Sequence, residues 1–416
     1  MKLLNEFNSE KKVIAGNFLS LVILQIANYV IPLIILPFLV RKLGTGNFGL
    51  VIFAQSLMTF YIVFVDFGFD ISGTRRISIS KSDKSRLSDI FINILFAKIF
   101  LLVFGLMSLI ILVEFIPKLN EDSTVYYYSF GVVIGQAIFP TWFFQGIERM
   151  GIITVFNILA KTIFAILIFL LINDESDYLL VPILNSFGFV ISGLFGLVFS
   201  ARYIKIVKPN LNSILFHLKE SFSLFIAKFS TLFYTSSNIF ILGLFASNEV
   251  VGIYGSIEKL IVAVKNGYSP LYQAIFPWLS KQNNKRNSTN RLFPLILTSS
   301  LIIAIILFVF SEEILELIYG DVLIVRNAYI LQILSFVVVL SATNMLITSL
   351  YFPARRLYNL RMKIFAICGV ISLFSSLILV YKFSVTGLSI SFTLIEFLIL
   401  IMAGRYYLNE NIIENE

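Results

Sequence analysis

Apolar residues run along this chain in long blocks separated by brief polar punctuation. Twelve blocks stand out, at roughly 18–40, 48–68, 88–116, 126–147, 151–172, 179–200, 223–245, 254–277, 292–311, 329–350, 364–381 and 388–404. Most reach the length at which a helix crosses the hydrocarbon core of a bilayer, about 18 residues or more. They are continuously apolar, without the alternation that marks the strands of a membrane barrel. The punctuation is short and strongly polar, as in Asn173-Asp174-Glu175-Ser176-Asp177 and Lys281-Gln282-Asn283-Asn284-Lys285-Arg286. The pattern predicts an all-α, polytopic integral membrane protein with twelve transmembrane helices. Every loop is short, and the longest, 201–222, contains His217 and reads as a cytoplasmic linker helix. The first block, behind a short charged segment, reads as a retained helix rather than a signal peptide.

Composition narrows the chemistry. Of 416 residues 58% are apolar and only 13% charged, against about 25% charged in an ordinary soluble domain. The single cysteine, Cys368, excludes an intrachain disulfide and a thiolate metal cage, and the single histidine, His217, removes most zinc chemistry. No metal site and no cofactor are expected, and no Walker A sequence points to direct use of ATP. The formal charge of +8 does not imply nucleic acid. It follows from topology, because lysine and arginine collect in cytoplasmic loops. With the N-terminus in the cytoplasm, 22 of the 32 basic residues fall in cytoplasmic segments and five in external ones (Arg41, Lys42, Lys118, Arg326 and Lys382). A missed span would invert this bias downstream, so the split supports both the count and cytoplasmic N- and C-termini.

Twelve spans around a central cytoplasmic loop suggest two six-helix bundles, 1–200 and 223–416, joined by the linker 201–222. A shift of 203 residues places Ser20-Leu21 on Ser223-Leu224, Ile23 on Ile226, Gly49 on Gly252 and Leu57 on Leu260. Both halves would enter from the same side, which is a parallel repeat of the kind that places a substrate cavity between its halves.

Ionisable groups at bilayer depth cost about 2.5–3.5 kcal/mol each on insertion scales and by default mark function. Lys98, Lys161 and Lys265 fall near the middle of their spans; Lys228 is shallower and could instead snorkel. Polar residues recur at helical spacing around them: Lys228, Thr231, Thr235 and Asn238; Thr154, Asn157 and Lys161; Glu258, Lys265, Ser269 and Tyr272; Ser389, Thr393 and Glu396; Asn17, Gln25 and Asn28. Such stripes line a wet cavity, although Ser, Thr and Asn serve equally as glue between helices. Basic residues outnumber the deep carboxylates Glu396 and Glu258. A net-positive cavity suits a phosphate, diphosphate or carboxylate substrate and disfavours a cationic one. Pro32, Pro37, Pro140, Pro270 and Pro277 interrupt the spans, either as hinges for alternating access or as static packing features.

Three stretches carry a family resemblance. They are Arg41-Lys42-Leu43-Gly44 with Asn47-Phe48-Gly49-Leu50; Asp66-Phe67-Gly68-Phe69 with Gly73-Thr74-Arg75-Arg76-Ile77; and Trp142-Phe143-Phe144-Gln145-Gly146-Ile147-Glu148-Arg149-Met150. They resemble the landmarks of Wzx-type O-antigen flippases, within the superfamily of multidrug, oligosaccharidyl-lipid and polysaccharide exporters. The specific words lie within 41–150, and the layout extends over the whole chain. The resemblance implies a V-shaped, MATE-like arrangement of two bundles in the bacterial inner membrane. It implies no enzyme activity. The expected function is moving an undecaprenyl-pyrophosphate-linked repeat unit of O-antigen or capsule to the outer leaflet, beside a polysaccharide polymerase and a chain-length regulator. On that expectation Lys98, Lys161, Lys228 and Lys265 would meet the diphosphate or acidic sugars, and Asn157, Asn238 and Gln25 the sugar hydroxyls. Glu396 and Glu258 would be candidate ion-coupling groups. Asp66 and Asp70 would pair with Arg75 or Arg76, or cap the loop; the Asp-Phe-Gly word shared with kinases has no partner motif here. Alternatives are a peptidoglycan-precursor flippase, a multidrug antiporter, or a membrane polysaccharide polymerase. The last would need a larger outer loop than 312–328 offers.

Overall fold

In a computed structural model the chain is described over residues 2–409, apart from the side chains of 2–15, 17, 18, 21, 234 and 235. Asn17 and Thr235, two members of the polar stripes, therefore lie outside the described side chains. The described residues are helical almost throughout. Seven helices are long and apolar enough to cross a membrane, and an eighth if Leu211–Phe233 and Asn238–Phe245, bent by 60°, form one span. The twelve apolar blocks occupy fewer helices for local reasons. Lys2–Asp66 carries two blocks that meet at Gly44 (φ 71°), and Tyr358–Leu408 carries two that meet at Ser384 (φ 50°). Ser123–Ile138 is short, and the pair Asn248–Asn266 and Tyr268–Ser280 is divided and rich in charge. The chain is a multi-pass α-helical membrane protein.

Local sequence sets the boundaries. Asp83 starts Lys84–Phe115 by accepting from the amides of Ser85 (2.9 Å) and Arg86 (3.1 Å). This satisfies donors that a helix start leaves orphaned. The helix ends at extended Ile116, because Pro117 disfavours helical geometry in the residue before it. The second apolar block does not end at residue 68, as its hydropathy suggests. Phe67 (φ 47°) and Gly68 (φ 80°) break the helix, which resumes as Phe69–Ile79. A Cβ on Gly68 would stand 2.8 Å from that of Leu224, so the site needs glycine for space as well as for its dihedral. The resumed helix runs antiparallel to Leu211–Thr235: Asp66 faces Lys228, Ser72 bonds Ser221 at 2.6 Å, and Arg76 pairs with Glu220. Its eleven residues carry the span about 16 Å beyond Asp66.

Two compact units emerge: residues 1–35 with 54–229, and residues 36–53 with 230–416. The segment 201–222 thus packs within the first unit. Ser88 Oγ accepts from the amide of Lys205 and Asn93 Oδ1 from that of Asn210, both at 2.8 Å. The first unit's core joins Phe69, Ile77, Phe91, Trp142, Phe143 and Phe144. Two of the landmark stretches meet there: Thr74 Oγ1 donates to Trp142 O (3.1 Å) and Gln145 Oε1 (3.2 Å). In the second unit, Arg41 caps the end of Ser311–Ile318 by donating to the carbonyls of Ile318 (2.8 Å) and Tyr319 (2.7 Å). Gly49 and Gly252, superposed by the 203-residue shift, touch: a Cβ on Gly49 would lie 1.7 Å from Asn248 O, and one on Gly252 1.9 Å from Thr45 O.

Candidate functional site

The helix break at Phe67–Gly68 leaves Asp66 at the end of one helical segment and Asp70 in the first turn of the next. Both carboxylates point toward lysines rather than toward Arg75 or Arg76. Lys98 Nζ lies 3.4 Å from Asp66 Oδ1 and Lys228 Nζ 3.3 Å from Asp66 Oδ2, while Lys228 also pairs with Asp70. The expectation for these two aspartates is therefore corrected. Arg76 takes Glu220 instead, and the break turns Asp66 back along the span toward Lys98. Lys98 is only 3% exposed, its other contact being the carbonyl of Gln136 at 3.5 Å. An ammonium so enclosed needs a partner, because several kcal/mol of lost hydration must be offset.

These groups wall a cavity of about 400 Å³ within the first unit. Lys98, Lys161, Lys228, Asn157, Asp66 and Asp70 all line it, with apolar surface from Ile62, Val133 and Phe189. Lys161 differs from its two neighbours. It donates to the neutral Asn28 Oδ1, and no carboxylate of the described residues stands within ion-pair distance. Asn157, one turn away, spends its amide nitrogen on Ile153 O at 2.9 Å. The cavity wall thus holds three lysines against two aspartates, and the excess charge belongs to Lys161.

The remaining sequence candidates lie elsewhere. Gln25 donates to Tyr29 at 3.4 Å and does not line this cavity. Lys265 is in the second unit, 3.1 Å from Glu396 Oε1 and 5.0 Å from the ring centre of Phe392. Asn344 donates to both Glu396 Oε2 (2.7 Å) and Glu396 O (2.9 Å), immediately before a π-helical turn at Leu346–Tyr351. Asn238 is committed to buried Glu258 at 2.8 Å, which also accepts from Tyr254 at 3.4 Å. Of the four lysines singled out in the sequence, Lys98, Lys228 and Lys265 each have a carboxylate partner. Several stripe residues prove to be glue. Thr154 bonds Ser20 O (2.9 Å), Tyr272 bonds Ala342 O (2.6 Å) and Thr393 reaches Ile333 O (3.5 Å). Asp66, Asp70 and Asn344 escape a search by periodicity, whereas Asn28 stands in the stripe with Gln25. Asp66 and Asp70 stand out in the sequence through the Asp66-Phe67-Gly68-Phe69 word, in which the left-handed tendency of Gly68 hints that the helix breaks between them.

Comparison with known proteins fits this architecture. A model of the family described as polysaccharide biosynthesis protein matches residues 14–283. A protein of Escherichia coli (strain K12) named as an O-antigen transporter is 30% identical over 275 residues, 66% of each chain. The chain thus spans just under two thirds of that relative's length. A protein of Haloferax volcanii named as a low-salt glycan biosynthesis flippase is 22% identical over 387 residues, 90% of this chain and 79% of the relative. Among solved structures, an inward-facing multidrug resistance MATE family transporter of the MOP superfamily superposes with a TM-score of 0.70 at 14% identity, covering 93% of this chain and 97% of the other. The MATE multidrug transporter DinF-BH superposes at 0.63, with 17% identity over 96% of this chain and 95% of its own. These structural likenesses establish the fold. The match over most of the chain establishes the family: this protein belongs to the polysaccharide biosynthesis protein family.

Proposed function

We propose that the protein is a flippase for a lipid-linked oligosaccharide, moving an undecaprenyl-diphosphate-borne repeat unit from the cytoplasmic to the outer leaflet of a bacterial inner membrane. The observation that carries this reading is the polar cavity of about 400 Å³ in which three lysines face two aspartates, with Lys161 uncompensated. A diphosphate cannot enter hydrocarbon bare, because its hydration must be replaced. Lysine replaces it well, being a compact charge with three donors. The prenyl tail needs no pocket and stays in lipid. The names of the relatives, an O-antigen transporter and a glycan flippase, agree with this substrate class. A cationic drug fits less well, since the formal excess in the cavity is positive.

Within this reading Lys161 makes the principal contact to the diphosphate. Lys228, shared between Asp66 and Asp70, exchanges a carboxylate for a phosphate oxygen when the headgroup arrives. Lys98 is chiefly structural. Asn157 offers its free carbonyl oxygen to a sugar hydroxyl. Glu258 and Glu396 are the coupling carboxylates of the second unit. No covalent step is involved, so the protein acts as a transporter rather than an enzyme. The test is a proteoliposome assay with a fluorescent lipid-diphosphate glycan. Lys161→Gln removes a charge-assisted contact worth about 1.5–3 kcal/mol, a loss of about 10- to 100-fold in transport. Unchanged transport by a normally inserted Lys161→Gln protein would overturn the assignment.

A further inference from the structure

A second cavity in the first unit, of about 650 Å³, has no role in the reading above. Three of its walls are the helices that build the first cavity. Phe69–Ile79 gives Asp70 to the first and Arg75 and Arg76 to the second. Lys84–Phe115 gives Lys98 to the first and Arg86 and Asp89 to the second. Leu211–Thr235 gives Lys228 to the first and His217 and Glu220 to the second. Five or six residues separate these positions on Phe69–Ile79 and eight to twelve on the other two helices, about 8–9 Å and about 12–18 Å along the axes.

The groups on this wall are unevenly satisfied. Glu220 is taken by Arg76, and Asp89 accepts from Asn93 Nδ2 at 2.9 Å. Arg76 is also held over the Phe216 ring, 4.4 Å from its centre, so its guanidinium is oriented with donors to spare. Arg75 makes no ion pair or hydrogen bond with the described residues, and Arg86 has only a loose approach to Asp83 at 3.9 Å. His217 is the most telling. It is 4% exposed and lines the cavity, yet it makes no hydrogen bond with any described residue. Buried polar side chains almost always have a partner. Its ring nitrogens open onto the cavity, so water or a ligand within it satisfies this imidazole.

We infer that this second cavity is a binding site for a phosphate or diphosphate group, held by Arg75, Arg76 and Arg86 and by the His217 imidazole. Guanidinium forks bind phosphate oxygens in pairs, and three of them outnumber the two carboxylates, both already engaged. Two sources share this chemistry: the headgroup of a lipid-linked sugar, and a soluble diphosphate. We assign the lipid headgroup, because the same three helices lead from this site to Lys228 and Lys98. This assignment rests on the flippase reading; diphosphate binding as such does not.

His217 is the only histidine in the chain, so its ring gives a single resonance set in a histidine-labelled protein. The full chain, purified through a histidine-free tag into lipid nanodiscs, is titrated with inorganic pyrophosphate at constant ionic strength, with sulfate as the control. Separate nanodiscs carry a polyprenyl diphosphate. Saturable movement of the His217 signal with both probes, weakened about tenfold or more by Arg75→Ala with Arg86→Ala, supports the site. Both arginines are exposed, and the one ion pair that either makes among the described residues, Arg86 with Asp83 at 3.9 Å, lies at the surface, so the double variant keeps its fold. A response to pyrophosphate alone overturns the lipid assignment. No response to either probe, or an equal one in the double variant or with sulfate, overturns the site. Lys161→Gln in the same preparation separates the two readings. Lost transport with an unmoved His217 signal rejects this site only; normal transport with an intact His217 titration rejects the role of Lys161 only.

Discussion

Asp66 is the residue whose loss the structure weights most heavily. It holds Lys98 at 3.4 Å and Lys228 at 3.3 Å, but the two lysines depend on it unequally. Lys228 keeps Asp70 when Asp66 becomes Asn, and its side chain is 31% exposed. Lys98, with a side chain 4% exposed, keeps only the Gln136 carbonyl. Removing one partner from a buried pair costs about 3–5 kcal/mol, because the other charge is left desolvated. Asp66→Asn is therefore expected to destabilise the protein by about that amount. Lys98→Met removes the enclosed charge and leaves Asp66 with Lys228, so it costs about 1 kcal/mol, an ordinary single-mutant loss. The double variant Asp66→Asn, Lys98→Met recovers most of the difference, because the stranded ammonium is gone. Reversible denaturation in detergent micelles, run as a double-mutant cycle, measures all three. Asp66→Asn as stable as the parent, or a double variant no better than Asp66→Asn alone, would refute the claim that this carboxylate exists to hold Lys98.

Other outcomes follow from local contacts. Gly49→Val and Gly252→Val each drive a side chain into backbone less than 2 Å away and are expected to abolish stable folding, read as loss of a monodisperse peak in size-exclusion chromatography. Arg41→Gln strips charge-assisted bonds from the carbonyls of Ile318 and Tyr319 and costs about 1.5–3 kcal/mol in the same denaturation assay. Glu396→Ala removes the buried carboxylate beside Lys265, whose side chain is 13% exposed, and lowers stability by about 3 kcal/mol, whereas Lys265→Met with Glu396→Gln is milder. Collapsing proton and sodium gradients in the transport assay leaves flipping unchanged if Glu258 and Glu396 have no coupling role, which would remove that part of the proposal.

The recognisable words at 66–77 and 142–150 turn out to encode a joint as much as a site. Phe67 and Gly68 adopt positive φ, Thr74 bonds Trp142 and Gln145, and the three aromatics from Trp142 fill the core beneath. Their chemistry was legible as a motif but not as geometry. The polar stripes divide in the same way. Thr154 and Tyr272 tie helices together, while Lys161 and Asn157, on the same face as Thr154, line the cavity.

Hydropathy along the chain was enough to establish an all-helical membrane protein and the positions of its apolar blocks, since each depends on how a run of residues partitions between water and lipid. The same one-dimensional property located the buried lysines. It could not assign their partners. Lys98 and Asp66 are 32 positions apart, Lys228 and Asp66 162, and Lys265 and Glu396 131. Electrostatic compensation acts through separations of about 4 Å in space, which no periodicity records. Tertiary packing alone decided that Lys98, Lys228 and Lys265 stand against carboxylates and that Lys161 stands against the neutral Asn28.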